Sequence, residues 1–195
     1  MEKELPIYEL QIDDINGSAE VDFVALVDRP AVQRNFLKFA EDKKMRFQID
    51  DEEQRIISGV LMLADTPIYR NDGVQEYYVV FTAETIAEIV QKFFSKGYQN
   101  NVNLMHDSGQ QLEGLTMFES WVKDSKRGVR ALKGFDDVPD GSWFGSYKVY
   151  DDATWEKIKS GEVLGFSVEG DFIYKQKVSK EEKMLKDIIK ILQSV

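Results

Sequence analysis

The chain has 195 residues, with 25 Lys and Arg against 35 Asp and Glu, one His, no Cys and a formal charge of −10. Its length suits one domain, or one with an appendage, and a 43% hydrophobic fraction with 12 Phe, 8 Tyr and 3 Trp is that of a chain that folds. The missing cysteines exclude a disulfide framework, a thiolate zinc site and thiol catalysis, and the acidic balance argues against nucleic acid as a partner. No apolar run is long enough for a membrane helix and MEKELPIYEL carries no secretion signal, so a soluble intracellular protein is expected.

Two β-like stretches, PIYELQI and AEVDFVALV, lie either side of an Asn16-Gly17 turn signal. Asp28-Arg29-Pro30 breaks the pattern, and the charged run from Arg34 to Glu53 reads as a connecting arm tolerant of nicking. RIISGVLML, from Arg55 to Leu63, reads as a buried strand, and VQEYYVVF, after the turn Asn71-Asp72-Gly73, as another. Thr82 begins the clearest helix. Its apolar residues Ile86, Ile89, Val90, Phe93 and Phe94 recur at helical spacing, with Thr82 as N-cap and Gly97 as the stop. NVNLMH, EGLTMFESWV, GVRALKGF and SWFGSYKVY read as strands, the last after a Pro139-Asp140-Gly141 turn. Asp151 or Asp152 caps a short helix bearing Trp155 and Ile158, Gly161 ends it, and GEVLGFSVEGDFIYK is the last strand region. From Ser179 a capping box (Ser179, Glu182) and a stripe of Met184, Leu185, Ile188, Ile189 and Leu192 predict an amphipathic helix that docks on its own domain or a partner. The chain thus divides into N-terminal strands with a charged arm packed on the main domain (1–54), a core (55–178) and a C-terminal helix (179–195). The fold class is α+β and mainly antiparallel β, with seven to nine strands and helices packed outside, because the helices do not alternate with the strands.

His106, in Asn103-Leu104-Met105-His106-Asp107, is the only imidazole and so the only conventional general base near neutral pH. A single histidine builds no His-rich metal site, and its plain reading is a loop cap. Ser167, in Gly165-Phe166-Ser167-Val168-Glu169-Gly170, is the leading nucleophile, with Ser120 in a weaker setting. Gly165 and Gly170 would let a backbone or a substrate approach closely. The spacing is not that of a nucleophile elbow, and an ordinary strand serine is the alternative. Asp50-Asp51-Glu52-Glu53 and Asp136-Asp137 lack the spacing of a calcium loop, and Gly141 to Gly145 lack the Lys-Ser/Thr of a phosphate loop, so no metal and no cofactor is expected.

In order and spacing, the pieces VDFVALVDRPAV, DEEQRIISGVLMLADTPIYR, EYYVVFTAETI, NLMHD, FESWVKD and DGSWFGSYKVYDDATWEKIKSGEVLGFSVEG, from about Glu20 to Phe172, resemble the phage prohead (capsid maturation) serine proteases, most closely their XkdF-like group. The resemblance implies a relationship to herpesvirus assemblins. The implied fold is a closed or nearly closed antiparallel β-barrel of about seven strands with surrounding helices, often dimeric. The implied activity is a serine endopeptidase that cuts scaffold and capsid protein, and itself, inside the assembling procapsid in the host cytoplasm. Carried over by position, Ser167 is the nucleophile and His106 the base. A protease-like domain serving only as a scaffold or virion component is the rival reading.

Two carboxylates compete to orient His106. Glu169 shares a strand face with Ser167, roughly 6.5–7 Å away at Cα. Glu119 lies on the expected next strand, FESWV, where an antiparallel neighbour reaches the far nitrogen of the imidazole, and it is the favoured choice, with Glu169 the alternative.

Overall fold

The computed structural model describes residues 5–13, 19–28 and 46–177. The Asn16-Gly17 turn, residues 34–45 of the charged arm and the helix expected over 179–195 lie outside the described residues.

Twelve strands form within them: β1 (Ile7–Gln11), β2 (Val21–Val27), β3 (Gln48–Asp51), β4 (Ile56–Met62), β5 (Ile68–Asn71), β6 (Glu76–Val80), β7 (Val102–Leu104), β8 (Asp107–Gln111), β9 (Leu115–Val122), β10 (Trp143–Val149), β11 (Gly165–Gly170) and β12 (Ile173–Gln176). They make three four-stranded sheets, ordered β12-β1-β6-β5, β3-β4-β10-β9 and β11-β2-β7-β8. The expected closed barrel of about seven strands ringed by helices is therefore not formed. Closure needs one ladder that returns to its first strand. Among the described residues each sheet instead ends in two edges; β1 and β2 lie inside two of them, parallel to β6 and β7 and antiparallel to β12 and β11. Among the described residues there are two α-helices, α1 (Ala83–Ser95) and α2 (Asp152–Lys159).

Each helix starts where its sequence signals it. Thr82 Oγ1 accepts from Thr85 N at 3.1 Å, α1 buries Ile86, Ile89 and Phe93, and Gly97 follows it at φ 77°. Asp151 Oδ2 accepts from Thr154 N at 2.7 Å, α2 buries Trp155 and Ile158, and Gly161 stands at φ 74°. Phe93 meets Trp143 edge to face at 5.2 Å, fastening α1 to the main core, where each large buried side chain contributes about 1.5–3 kcal/mol. A second, smaller cluster holds Val60, Leu63, Phe135, Val138 and Phe144, with Trp121 stacked on Phe144 at 5.4 Å. GVRALKGF, expected as a strand, is instead a turn-rich loop, because Phe135 and Val138 are drawn together into this cluster rather than alternating across a sheet. No helix among the described residues is long and apolar enough to cross a membrane.

Candidate active site

The alternation of GFSVEG sorts β11 into two faces. Phe166 enters the main core, 5.3 Å from Phe47 and 5.1 Å from Tyr147, with Val168 packed beside it. Ser167 and Glu169 are left on the opposite face. Gly170 is required where β11 meets a bulge in β2: a Cβ there would overlap Glu20 O and stand 2.7 Å from Val21 Cα. The pairing then fixes a row across the sheet. Ser167 opposes Ala25 of β2, and Ala25 opposes Asn103 of β7. The Ala25 methyl leaves room between its neighbours, whose Cα atoms stand two strand spacings apart, roughly 9.6 Å.

His106 is delivered by the hairpin that joins β7 to β8. Leu104 pairs with Asp107, so Met105 and His106 are the whole loop, at φ 55° and 60°. A two-residue turn with both central residues left-handed normally takes Asn-Gly; a methionine and a histidine there are strained. Anchors hold the turn. Met105 N donates to Leu26 O at 2.9 Å and Asp28 N to Met105 Sδ at 3.3 Å. Asp107 accepts from Gln110 Nε2 at 2.6 Å and from Gly109 N at 2.9 Å, and these bonds, the Gln110 one first, hold its carboxyl below the usual range.

The imidazole meets a carboxylate. His106 Nδ1 lies 3.3 Å from Glu169 Oε2, and the same oxygen accepts from Asn103 Nδ2 at 2.7 Å. With its proton on Nδ1, the ring donates to Glu169 and presents Nε2 as the base. Asn103 is 1% exposed and its Oδ1 is buried without a hydrogen-bond partner. His106 is 41% exposed at its side chain and Ser167 only 6% overall, so the base borders solvent and the serine does not.

Ser167, Glu169 and His106 thus belong to one sheet, and Glu169 touches the imidazole. Among the described residues no hydrogen bond or ion pair joins Glu119 to the imidazole. Glu119 is exposed on β9, opposite Ser146 of β10, in a different sheet. Ser120 accepts from Trp143 Nε1 at 2.7 Å, and Trp121 Nε1 donates to Arg130 O at 3.0 Å, so the ESW segment fastens the core. Asp51 accepts from Gln54 N at 2.8 Å and serves as a turn cap. Asn103 was not singled out by sequence; its one signal is a polar residue between the apolar Val102 and Leu104 of a short strand.

The family model described as "Putative phage serine protease XkdF" matches residues 44–174. The phage-like element PBSX protein XkdF of Bacillus subtilis (strain 168) is 27% identical over 161 residues, which cover 78% of this chain and 53% of that protein. The uncharacterized protein YqbD of the same organism is 25% identical over 192 residues, covering 91% of this chain and 53% of YqbD. The chain therefore spans about half the length of the curated relatives it matches. No solved structure matches it.

Proposed function

The chain belongs to the phage serine protease family represented by XkdF, and on that premise we propose that it is a serine endopeptidase of capsid maturation with Ser167, His106 and Glu169 as its catalytic residues. The observation that carries the reading is the contact between Glu169, two residues from Ser167 on β11, and Nδ1 of the chain's only histidine. In this mechanism Nε2 of His106 removes the Ser167 proton as Oγ attacks a peptide carbonyl, and the imidazolium is stabilised by Glu169. His106 then returns the proton to the leaving amine, and water, activated by the same nitrogen, hydrolyses the acyl-enzyme. Asn103 acts as a positioning residue that holds the carboxylate. No metal or organic cofactor enters the scheme.

The substrates under this reading are scaffold protein, capsid protein and the chain itself, cut inside a procapsid in the host cytoplasm, with the enzyme working as a homodimer. Fluorophosphonate labelling with mass mapping tests it directly. Label on Ser167, lost in His106→Ala, is the expected result, together with scaffold truncation on co-expression that Ser167→Ala stops. An unlabelled protein that leaves all bands intact would instead be a protease-like structural component.

A further inference from the structure

A cavity of about 200 Å³ lies against the strand that carries the serine. Phe166 and Val168 of β11 line it together with the apolar Leu10 and Ile68, and Arg70 and Tyr174 add polar groups. Register explains why the arginine is there. Arg70 of β5 opposes Tyr77 of β6, and Ile68 and Leu10 share its sheet face, so an otherwise apolar and aromatic surface carries one cation.

That guanidinium is unmatched by any described carboxylate. Nη1 donates to Tyr69 O at 3.1 Å, and among the described residues no carboxylate pairs with it, whereas Arg55 and Arg127 are paired with Asp152 and Asp124. Burial pushes its pKa down, opposed by the phenols of Tyr174 and Tyr77, whose rings meet edge to face at 6.3 Å. A half-buried arginine with most of its five donors unused by the described residues is costly in a free protein. Its planar fork fits a carboxylate in two-pronged fashion, and the Tyr174 phenol stands beside it in the same lining. The cavity is smaller than ordinary cofactor or drug sites and suits one side chain. β11 is also an edge strand, bonded to β2 on one side; on the other, among the described residues, no ladder runs along it, and Phe47 N donates only to Leu164 O just before it, at 3.1 Å. A peptide laid along that edge turns alternate side chains to the two faces, one toward the Ser167 row and the next toward the cavity.

We propose that this cavity is the subsite for an acidic side chain of the peptide substrate, whose carboxylate pairs with Arg70 while its methylenes fill the apolar space. The assignment rests on the protease reading for its substrate, but its test does not need turnover. The full chain carrying Ser167→Ala is titrated calorimetrically with acetyl-Ala-Ala-Leu-Glu-Ala-Ala-amide and with its Glu→Gln counterpart. The Glu peptide is expected to bind about tenfold or more tightly than the Gln peptide. Adding Arg70→Gln should weaken the Glu peptide by a similar factor and leave the Gln peptide unmoved, and Arg70→Lys should restore part of the preference. Equal affinity for the two peptides, binding of neither, or a Glu preference that survives Arg70→Gln would overturn the subsite. If Arg70→Gln does not fold, the peptide pair on the parent protein still decides. Tighter binding by the free acid of the Gln peptide than by the Glu amide would transfer the site to a chain terminus and refute the side-chain assignment. Fluorophosphonate labelling of Ser167 without Glu discrimination leaves the protease standing and removes the subsite; discrimination without labelling does the reverse.

Discussion

Asn103 donates to Glu169 Oε2 at 2.7 Å, and that oxygen also faces His106 Nδ1 at 3.3 Å. A buried amide therefore holds the carboxylate that holds the imidazole. Glu169→Gln is expected to lower turnover by about 10²–10⁴ without unfolding, because an amide no longer stabilises the imidazolium or dictates the tautomer. Glu119→Gln, changed on an exposed position of another sheet, should stay within a few-fold of the parent. Steady-state kinetics on a scaffold-derived peptide, with circular dichroism as the folding control, separates the two; the opposite ranking would return the orienting role to Glu119.

The hairpin carrying His106 holds two non-glycine residues at positive φ, a cost in stability that the proposed role of the base would account for. His106→Gly places glycine where the turn needs φ near 60°, relieving about 1 kcal/mol of strain while losing only an exposed contact. In a Ser167→Ala background its melting temperature should rise by roughly 2–4 °C. The same substitution alone should abolish proteolysis. A fall in melting temperature of similar size would mean that the imidazole itself secures the hairpin.

Gly170→Ala tests the bulge. The added methyl meets backbone atoms of Glu20 and Val21, neither of which can swing aside. A loss on the order of 3 kcal/mol, or failure to fold, is expected from urea denaturation. An alanine variant within 0.5 kcal/mol of the parent, about the noise of a surface substitution, would show that β2 and β11 separate freely there.

Glu20 ties the start of β2 to the end of α1. Burial raises its pKa, but hydrogen bonds from Lys96 and Tyr98 and the charges of Lys96 and Lys92 outweigh this and hold it below the usual carboxylate range. A carboxylate depressed in the folded state adds stability above its unfolded pKa, ~4.3, and loses it as pH falls through the folded value. Glu20→Gln should thus melt on the order of 2 °C lower at pH 7 and converge with the parent in acid, below about pH 4. A difference that persists at low pH would assign the effect to packing.

Local signals locate α1 and α2 well. Thr82, Asp151, Gly97 and Gly161 act within a turn of where they stand, so a single chain suffices to read them. Pairing partners were less legible. Nothing in PIYELQI distinguishes a hairpin neighbour from a strand that will lie parallel to β6, so the sheets' separate edges, and the absence of a barrel, emerge only from the assembled register. The same holds at the site. His106 and Ser167 stand out by residue type, and Glu169 by its parity with Ser167. FESWV reads as the next strand after His106 and so points to Glu119 as a neighbour, whereas the short β8 intervenes and β9 joins another sheet. Asn103 acquires meaning only through Ala25, a residue with no chemistry of its own.

The central places of β1 and β2 have a consequence for the nascent chain. β1 emerges from the ribosome before β6 and β12 exist, and β2 before β7 and β11. Both must wait, unpaired, for partners made much later, which is the long-range closure that slows folding and leaves strand edges exposed meanwhile. The row Ser167–Ala25–Asn103 draws on three distant stretches of chain and completes only when β11 docks on β2. Under the proposed function, a polypeptide stalled short of β11 has hairpin and imidazole but not Ser167, and would leave neighbouring unfinished proteins uncut.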